Sequence, residues 1–293
     1  MSSFCIDPNL RIWYNLVMKY KIEDWGIRVA NKTDFSPKQT LECGQMFRFA
    51  KTDDGRYVVY SKNYKATIAE TADGYAIYTA NPQYFVDYFD LSTNYSQIKT
   101  LLNKHQSLRE AISIGGGIRL AKQDPFETAV EFIISQNNNI KRIKLILSKL
   151  CERYGTNMGD YFAFPTREQF SQISKEEFAE LGAGYRADYL FKFGKQIEKF
   201  DSLDYKNMTP AELKPKLIEF AGIGPKVADC IMLFGMNKRE VFPVDVWMHR
   251  LSVELLGETL TPEKASQKLV EKFGALSGYA QQYLYYYKAI QKK

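Results

Sequence analysis

A Gly-Ile-Gly-Pro turn at residues 222–225 separates two helical repeats of apolar residues and constrains the fold more than any other feature of the chain. Apolar side chains recur at helical spacing before the turn (Leu213, Leu217, Phe220) and after it (Val227, Ile231, Phe234). Gly222 and Gly224 permit a positive φ and leave the backbone bare, so N–H groups at the start of the second helix can meet an anion. The pattern predicts a helix–hairpin–helix that holds a nucleic-acid phosphate without reading sequence. An ordinary helical hairpin in a core is the alternative.

The first part of the chain has strand signals and the second part has helix signals. Short runs rich in Tyr, Val, Ile and Thr predict four strands, at Met46–Phe49, Tyr57–Ser61, Ala66–Ala69 and Tyr75–Thr79. Asp-Gly turns at residues 54–55 and 73–74 favour an antiparallel meander. From residue 123 to the C-terminus almost every segment has helical periodicity. We therefore predict an α+β protein: an N-terminal antiparallel β-sheet domain with flanking helices, followed by an all-helical domain.

Turn residues and helix starts suggest the domain boundaries. We place an N-terminal arm or leader at residues 1–20, a β-rich domain at residues 21–118 and a helical domain at residues 119–293. Three glycines at residues 115–117 predict an inter-domain hinge or a helix C-cap, since they lack the spacing of a P-loop. Asp-Pro-Phe-Glu at residues 124–127 and Thr-Pro-Ala-Glu at residues 209–212 each predict a helix start.

Composition excludes several classes of protein. The 40 basic and 34 acidic residues leave a net charge of +6, a mild indication of a polyanionic partner. No run approaches the roughly 18 apolar residues that would cross a membrane. The N-terminus lacks the parts of a secretory signal. Four scattered cysteines and two histidines do not have the spacing of a metal site, so we expect no metal, no cofactor and a reducing compartment.

Lys226 directly follows the turn, at the predicted N-terminus of the second helix. The helix dipole is positive there, which disfavours an ammonium and favours the neutral amine that a nucleophile needs. Asp245 comes 19 positions later and is predicted to begin the next helix. Either it is only an N-cap, or it also faces the amine, helps to deprotonate it and stabilises positive charge on a bound sugar ring.

Four motifs together carry a resemblance to a known family. Gly222–Cys230 followed by Val241–Asp245 resembles the helix–hairpin–helix–Gly/Pro–Asp (HhH-GPD) superfamily of DNA glycosylases. Segments that resemble 8-oxoguanine DNA glycosylase within it are Cys43–Arg48, Gln123–Glu127 running on to Ser135–Ile140, and Leu181–Ala187. The resemblance extends from about residue 34 to the C-terminus. The sequence does not contain the iron–sulfur cysteine cluster of the endonuclease III branch.

The resemblance implies a bifunctional repair enzyme that flips 8-oxoguanine out of duplex DNA and excises it. Lys226 matches the nucleophile that attacks C1′ to form a Schiff base, which permits β-elimination (AP lyase activity). Asp245 matches the catalytic aspartate. Gly44 matches the residue whose backbone carbonyl accepts a hydrogen bond from N7–H of 8-oxoguanine, a proton that guanine lacks. A turn glycine before a strand is the alternative for Gly44.

Three more residues match the lesion pocket of the family. Cys230 lies one helical turn after Lys226 and matches the residue that stacks on one face of the flipped base. Tyr285 matches the opposing aromatic ring, and Gln281 matches the glutamine that reads the base edge. For Cys230 the alternative is a small buried core residue, and for the other two it is core packing of a Tyr-rich helix.

Further residues match contacts to the opposite strand. Three consecutive asparagines at the end of an apolar helix compete with its backbone bonds; one is expected to cap the helix, and the resemblance places Asn137 in the space vacated by the flipped base. Arg142 and Arg186 match the arginines that read the orphaned cytosine, although isolated arginines usually lie solvated on a surface. Tyr185 matches the wedge beside them. Trp247 stands where animal enzymes carry a phosphate-contacting His, and its indole N–H is still a donor.

The expected partner is double-stranded DNA containing 8-oxoguanine, bound by a monomer without membrane contact. We expect the protein in the cytoplasm with the nucleoid if its source is bacterial or archaeal, and in the nucleus if it is eukaryotic. A glycosylase for alkylated bases is one alternative, but that branch generally activates water and lacks the amine of Lys226. A non-enzymatic helix–hairpin–helix DNA-binding module is another, and it would need neither Lys226 nor Asp245 nor Gly44.

Overall fold

Six strands near the N-terminus form one antiparallel sheet. The computed structural model describes residues 19–30 and 32–291, so nearly all of the arm predicted at residues 1–20 lies outside the described residues. The strands are β1 (Tyr20–Glu23), β2 (Gly26–Val29), β3 (Phe49–Lys51), β4 (Tyr57–Ser61), β5 (Tyr64–Glu70) and β6 (Tyr75–Tyr78). Their order across the sheet is β1-β2-β6-β5-β4-β3, and each neighbouring pair is antiparallel.

Three of the four predicted strands are confirmed, and the other is wrong in position. β4 matches its prediction, β5 contains residues 66–69, and β6 ends one residue before the predicted end. The strand predicted at Met46–Phe49 begins only at Phe49, because the three residues before it point to different places. Met46 is buried in the core of the sheet, Phe47 in the core of the helices, and Arg48 against an acidic residue of a helix. β1 and β2 were not predicted, because each has only four residues and the Asp-Trp turn between them is not the Asp-Gly signal that marks β5 and β6.

Helices flank the sheet and dominate the chain after it. Those of the N-terminal part are α1 (Pro37–Leu41), α2 (Pro82–Tyr88), α3 (Tyr95–Leu102) and α4 (Arg109–Gly115). Those that follow are α5 (Pro125–Ser135), α6 (Ile140–Tyr154), α7 (Arg167–Ser171), α8 (Lys175–Glu180), α9 (Arg186–Gly194), α10 (Ile197–Asp201), α11 (Pro210–Ile218), α12 (Pro225–Cys230), α13 (Val246–Leu256), α14 (Pro262–Phe273) and α15 (Ser277–Ile290). α12 continues into a π-helical turn at Ile231–Gly235. The predicted α+β class is confirmed. Within residues 19–30 and 32–291, no helix combines the length and the apolar character needed to cross a membrane.

Two hydrophobic cores divide the molecule at a different place from the predicted domain boundary. One core joins the sheet to α2 and includes Ile27, Val59, Ile77 and Phe85. The other core is helical, and it takes in side chains of α3 and α4 as well as those of the later helices. α4 packs against α15, near the opposite end of the chain. The predicted boundary between residues 118 and 119 therefore does not separate the two cores, because α3 and α4 precede it and pack with the helices that follow it.

The helix caps agree with the sequence pattern. Asp124 caps α5, since its Oδ1 accepts hydrogen bonds from the backbone N–H groups of Phe126 and Glu127, both at 3.0 Å. Thr209 caps α11 in a reciprocal capping box with Glu212. Gly116 is the C-cap of α4, so the glycines at residues 115–117 end a helix as one of the two interpretations predicts. These residues fix where α5 and α11 begin and where α4 ends.

A buried ion pair joins the sheet to the helices. Arg48 Nη1 lies 2.5 Å from Oε1 of Glu127 on α5, and both side chains are almost fully buried. Glu127 Oε2 also accepts a hydrogen bond from the backbone N–H of Lys62 at 2.8 Å, and Arg48 Nη2 donates to the carbonyl of Phe162 at 3.0 Å. Because each charge satisfies several partners, removing one would leave the other buried and unpaired.

We predict that Arg48→Met destabilises the protein by about 3–5 kcal/mol, the usual cost of leaving one member of a buried pair uncompensated. Lys32→Met is the matched control, because it breaks the exposed pair between Lys32 and Glu70 (2.7 Å), and exposed pairs contribute little to stability. Urea unfolding of the two variants and the wild-type chain measures the difference. Equal losses for the two variants would contradict the role given to the buried pair.

Candidate active site

The turn at residues 222–225 joins α11 to α12 as predicted. Gly222 has a φ of +78°, and a Cβ on it would lie 2.7 Å from the Cβ of Tyr189, so a larger residue would be strained there. Gly224 is the N-cap of α12 with a φ of −88°, and a Cβ on it would meet nothing within 4 Å. The predicted positive φ is therefore right for Gly222 and wrong for Gly224. At Gly224 the missing side chain instead leaves the backbone open to a ligand.

Lys226 is the second residue of α12 and is partly buried. Its Nζ lies 5.0 Å from the centre of the Phe132 ring on α5. Cys230 follows one turn later on the same face, is 3% exposed, and lies close enough to Lys226 for the lysine charge to act on its thiol. Burial raises the pKa of the Cys230 thiol to about 11, against the opposing charge of Lys226. The thiol is therefore protonated at neutral pH and offers an apolar, polarizable contact.

Asp245 is the N-cap of α13, as one of the two interpretations predicts. Its Oδ1 accepts hydrogen bonds from the backbone N–H groups of Trp247 (3.0 Å) and Met248 (2.8 Å). The carboxylate is also close to the pocket side chains: after burial, its charge adds to the rise in pKa of both Cys230 and Tyr285. The cap fixes the orientation of Asp245 through one oxygen while the side chain lines the same pocket as Lys226.

That pocket brings together all six residues predicted for catalysis and lesion binding: Lys226, Asp245, Gly44, Cys230, Gln281 and Tyr285. They come from three distant parts of the chain, the loop before β3, the segment from α12 to α13, and α15. Gly44 has a φ of +79°, and a Cβ on it would lie 3.0 Å from Cε1 of Tyr285. The loop backbone thus lies directly against the aromatic ring, with no room between them for a side chain.

Gln281 lines the pocket and has an amide oxygen without a partner in the described chain. The residue is 5% exposed, and its Oε1 is buried without a hydrogen-bond partner within the part of the chain that the structure describes. Leaving a buried acceptor unsatisfied costs about 1–3 kcal/mol. A ligand that donates an N–H group to this oxygen would remove that cost, so the pocket is suited to a molecule with hydrogen-bond donors.

Five further residues line the pocket without having been predicted to do so: Cys43, Phe132, Phe234, Pro243 and Gln282. Phe132 and Phe234 stack at 5.5 Å between ring centres and form an apolar wall next to Lys226. Their sequence signal was only that of apolar helix faces, which a core also produces. No sequence pattern indicates a role for Gln282, because that role depends on a contact with the loop at residue 43.

The three asparagines after α5 have three different roles. Asn138 Nδ2 donates to the carbonyl of Ile134 in the last turn of α5 at 3.1 Å. Asn139 is the N-cap of α6 and accepts from the backbone N–H of Arg142 at 2.9 Å. The C-cap residue of α5 is Gln136, so none of the three asparagines is the predicted C-cap, and Asn138 satisfies a terminal carbonyl through its side chain instead. Asn137 is exposed and has a φ of +46°, a conformation that Asn tolerates better than most residues.

Arg142, Tyr185 and Arg186 surround the same turn. Arg186 is 4% exposed, its Nε donates to the carbonyl of Gln136 at 2.7 Å, and its Nη2 donates to that of Asn137 at 2.8 Å. Tyr185 is exposed, and its hydroxyl donates to the carbonyl of Gln136 at 3.2 Å. Arg142 is exposed and donates to the carbonyl of Gly182 at 3.1 Å. Arg142 is thus solvated, as isolated arginines usually are, whereas Arg186 is buried because the carbonyls of the turn take up its guanidinium.

Two observations complete the surroundings of the pocket. Trp247 is 47% exposed at the start of α13, with the guanidinium of Arg250 4.8 Å from the centre of its ring.

Across residues 19–30 and 32–291, no group of three or more His, Cys, Asp or Glu side chains is placed to hold a metal ion.

Asp229 ties the two helices of the hairpin together. Its Oδ2 lies 2.8 Å from Nζ of Lys214 on α11, and its side chain is 6% exposed. Burial raises the pKa of Asp229 to about 6, although the charges of Lys214 and Lys226 act in the opposite direction. The pair therefore loses its negative member as the pH falls below about 6.

Two family models match consecutive parts of the chain. One is described as "8-oxoguanine DNA glycosylase, N-terminal domain" and matches residues 27–129. The other is described as "HhH-GPD superfamily base excision DNA repair protein" and matches residues 130–275. The first contains Gly44, and the second contains Lys226, Cys230 and Asp245.

Individual proteins show the same similarity. An Arabidopsis thaliana protein named N-glycosylase/DNA lyase OGG1 is 32% identical over 188 residues, which cover 58% of this chain and 51% of that protein. The chain thus spans about half the length of this curated relative. The crystal structure of a Clostridium acetobutylicum 8-oxoguanine glycosylase/lyase, in complex with double-stranded DNA containing cytosine opposite 8-oxoguanine, is 34% identical with a TM-score of 0.88. The structure of MBOgg1 in complex with a low-affinity DNA ligand is 36% identical with a TM-score of 0.87. Each of these two matches covers 94% of this chain and 100% of the other.

The raised pKa of Asp229 predicts a pH dependence of stability. An unfolded aspartate titrates near 3.8, so the folded state binds the proton more tightly, and this residue contributes less to the free energy of unfolding as the pH rises from about 4 to about 6. Over that range, the free energy of unfolding of Asp229→Asn should rise relative to that of the wild-type chain by up to about 3 kcal/mol, at about 1.4 kcal/mol per pKa unit.

Urea unfolding at about pH 4.5 and about pH 7 measures this trend. Asp188→Asn is the control, because Asp188 is only partly buried and its ion pairs with Lys192 and Lys175 lower the pKa of its carboxyl below 3.8. It should show no such trend in this range. A difference between Asp229→Asn and the wild-type chain that stays constant with pH would contradict the prediction.

Proposed function

This chain belongs to the 8-oxoguanine DNA glycosylase family of the HhH-GPD superfamily, and from that premise we propose that it excises 8-oxoguanine from duplex DNA and then cleaves the strand as an AP lyase. One observation carries the proposal: a single pocket holds an amine, a carboxylate and a buried amide oxygen without a partner. The reacting bond of a stacked nucleotide is out of reach, so the damaged base must rotate out of the helix into that pocket.

Recognition of the base uses the walls of the pocket. The protonated thiol of Cys230 and the ring of Tyr285 stack on opposite faces of the base, and Oε1 of Gln281 accepts from the N–H groups of its Watson–Crick edge. The carbonyl of Gly44 accepts from N7–H of 8-oxoguanine. Guanine would instead bring the lone pair of N7 against that oxygen, and a site with an unpaired buried acceptor discriminates strongly.

The chemistry uses Lys226 and Asp245. The neutral amine of Lys226 attacks C1′, and the bond between C1′ and N9 breaks as the base leaves with the electron pair. Opening of the sugar ring then gives a Schiff base on Lys226, and loss of a C2′ proton expels the 3′ phosphate by β-elimination. Asp245 assists removal of the proton from the amine and stabilises positive charge on the sugar ring. Both groups start from positions that helix N-termini fix.

The opposite strand meets the turn after α5. Asn137 enters the space that the flipped base leaves, and Tyr185 acts as the wedge beside it. Arg142, which is exposed, reads the orphaned cytosine, whose edge offers acceptors to arginine donors. The hydrogen bonds from Arg186 to the carbonyls of Gln136 and Asn137 fix the turn on which Asn137 projects.

The DNA backbone meets the hairpin and α13. The open backbone at Gly224 and the start of α12 accept a phosphate, and the indole N–H of Trp247 donates to a second one. The net charge of +6 adds attraction that weakens as salt rises. We further propose that the protein works as a monomer wherever the chromosome lies, with the nucleoid in a bacterial or archaeal cell and in the nucleus of a eukaryotic one.

Reductive trapping tests this function. With borohydride and a duplex containing 8-oxoguanine opposite cytosine, the wild-type chain should form a covalent adduct because a Schiff base is reduced in place. Lys226→Gln should form none, since it lacks the amine, and should still bind the duplex. Lys216→Gln, which removes an exposed lysine of α11, is the matched control and should trap normally. A wild-type chain that binds the duplex without trapping would overturn the proposal.

A further inference from the structure

Helix α15 carries two consecutive buried glutamines with different roles. Gln281 lines the pocket and has a buried Oε1 without a hydrogen-bond partner among the described residues. Gln282 is 2% exposed, and its Nε2 donates to the carbonyl of Cys43 at 2.6 Å. That hydrogen bond joins residues 239 positions apart in the sequence. It ends on the peptide group that immediately precedes Gly44.

A second glutamine holds the other side of Gly44. The carbonyl of Gln45 accepts from Nε2 of Gln123 at 2.7 Å. The Gln45 side chain is fully buried: its Nε2 donates to the carbonyls of Thr40 and Arg119, both at 2.8 Å, and its Oε1 accepts from the N–H of Ala121 at 2.9 Å. Amide donors from Gln282 and Gln123 therefore fix the carbonyls on both sides of Gly44.

This arrangement matters because the peptide groups around a glycine rotate more easily than those of other residues. Gly44 has a φ of +79° and no side chain to hold it, and the Tyr285 ring lies directly against it. The direction of the Gly44 carbonyl decides whether it can accept a hydrogen bond from N7–H of 8-oxoguanine. Of the two clamps, the Gln282 bond comes from the same helix as Gln281 and Tyr285, so it sets the Gly44 loop relative to the side chains that hold the base.

We propose that Gln282 is a positioning residue for lesion discrimination. Its hydrogen bond to the Cys43 carbonyl holds the peptide group between Cys43 and Gly44, and so keeps the Gly44 carbonyl in the orientation that distinguishes 8-oxoguanine from guanine. The proposal rests on the function proposed above and adds a residue to it. Gln282 does not act on the sugar. Its loss should therefore affect steps that read the base and spare cleavage of an abasic site, which needs Lys226 and Asp245 but no base.

Gln282→Met tests the proposal, because methionine has nearly the same length and lacks the donor. We expect single-turnover excision of 8-oxoguanine to fall about 10-fold, the loss of one buried hydrogen bond expressed as a rate. The ratio of affinities for 8-oxoguanine and guanine duplexes should fall by a similar factor. The rate of cleavage of a duplex with a preformed abasic site should stay within about 2-fold of the wild-type rate, because the barrier of that step does not depend on the base.

Gln39→Met is the matched control. Gln39 also donates to and accepts from backbone groups, those of Ile114 and Gly117, but it does not line the pocket. It should leave the ratio of excision to abasic-site cleavage unchanged. Gln282→Asn is the second variant, for the case that the methionine variant does not fold: it keeps the amide but is one methylene too short to reach Cys43, so the same losses are expected.

Equal losses in excision and abasic-site cleavage would overturn the proposal, since they would show a general structural role. Unchanged discrimination in the Gln282 variants would overturn it as well. A wild-type chain that cleaves abasic sites without excising 8-oxoguanine would overturn the proposed function and this proposal with it. A failure confined to the variants leaves the function intact, so the two failures are distinguishable.

Discussion

The contact between α15 and the loop at residues 43–45 is the constraint on which the pocket depends. The loop precedes the third strand of the sheet, whereas α15 ends the described chain, and they meet through the Tyr285 ring against Gly44 and the amide of Gln282 on the Cys43 carbonyl. α4 packs on α15 from the same N-terminal part of the chain. Without this closure, the segment from α12 to α13 would present Lys226 and Asp245 on an open face. With it, the two groups lie in one pocket together with Cys230, Gln281 and Tyr285.

The pocket combines polar groups that are costly to bury. Gln281 has an acceptor without a partner, and burial raises the pKa of the Cys230 thiol and of the nearby Asp229 carboxyl. Such groups are found where a ligand or a reaction uses them. Two hydrophobic cores and the buried pair between Arg48 and Glu127 stabilise the surrounding structure. The free-energy cost of burying these polar groups is thus offset by packing elsewhere. A ligand that donates a hydrogen bond to Gln281 would remove part of that cost.

Local features of the site could be predicted from the sequence, and long-range ones could not. The hairpin, the caps at Asp124 and Thr209 and the position of Lys226 follow from spacing within a few residues, and the structure agrees with them. The meeting of six distant residues in one pocket came only from the resemblance to a family, because no periodicity links residue 44 to residue 285. The burial of Arg186 and the role of Gln282 depend on carbonyls that tertiary packing delivers. Predictions failed where neighbours in sequence separate in space, as at Met46 and Phe47, which enter different cores.

The central claim is that Lys226 is the amine that bonds to the DNA. Peptide mapping by tandem mass spectrometry of the borohydride-reduced adduct tests it most directly. After digestion of protein and DNA, the account predicts that the added sugar remnant lies on Lys226 and on no other lysine of the hairpin. An adduct located on Lys214, on Lys216 or on the N-terminal amine would contradict the account, even if the protein excised 8-oxoguanine.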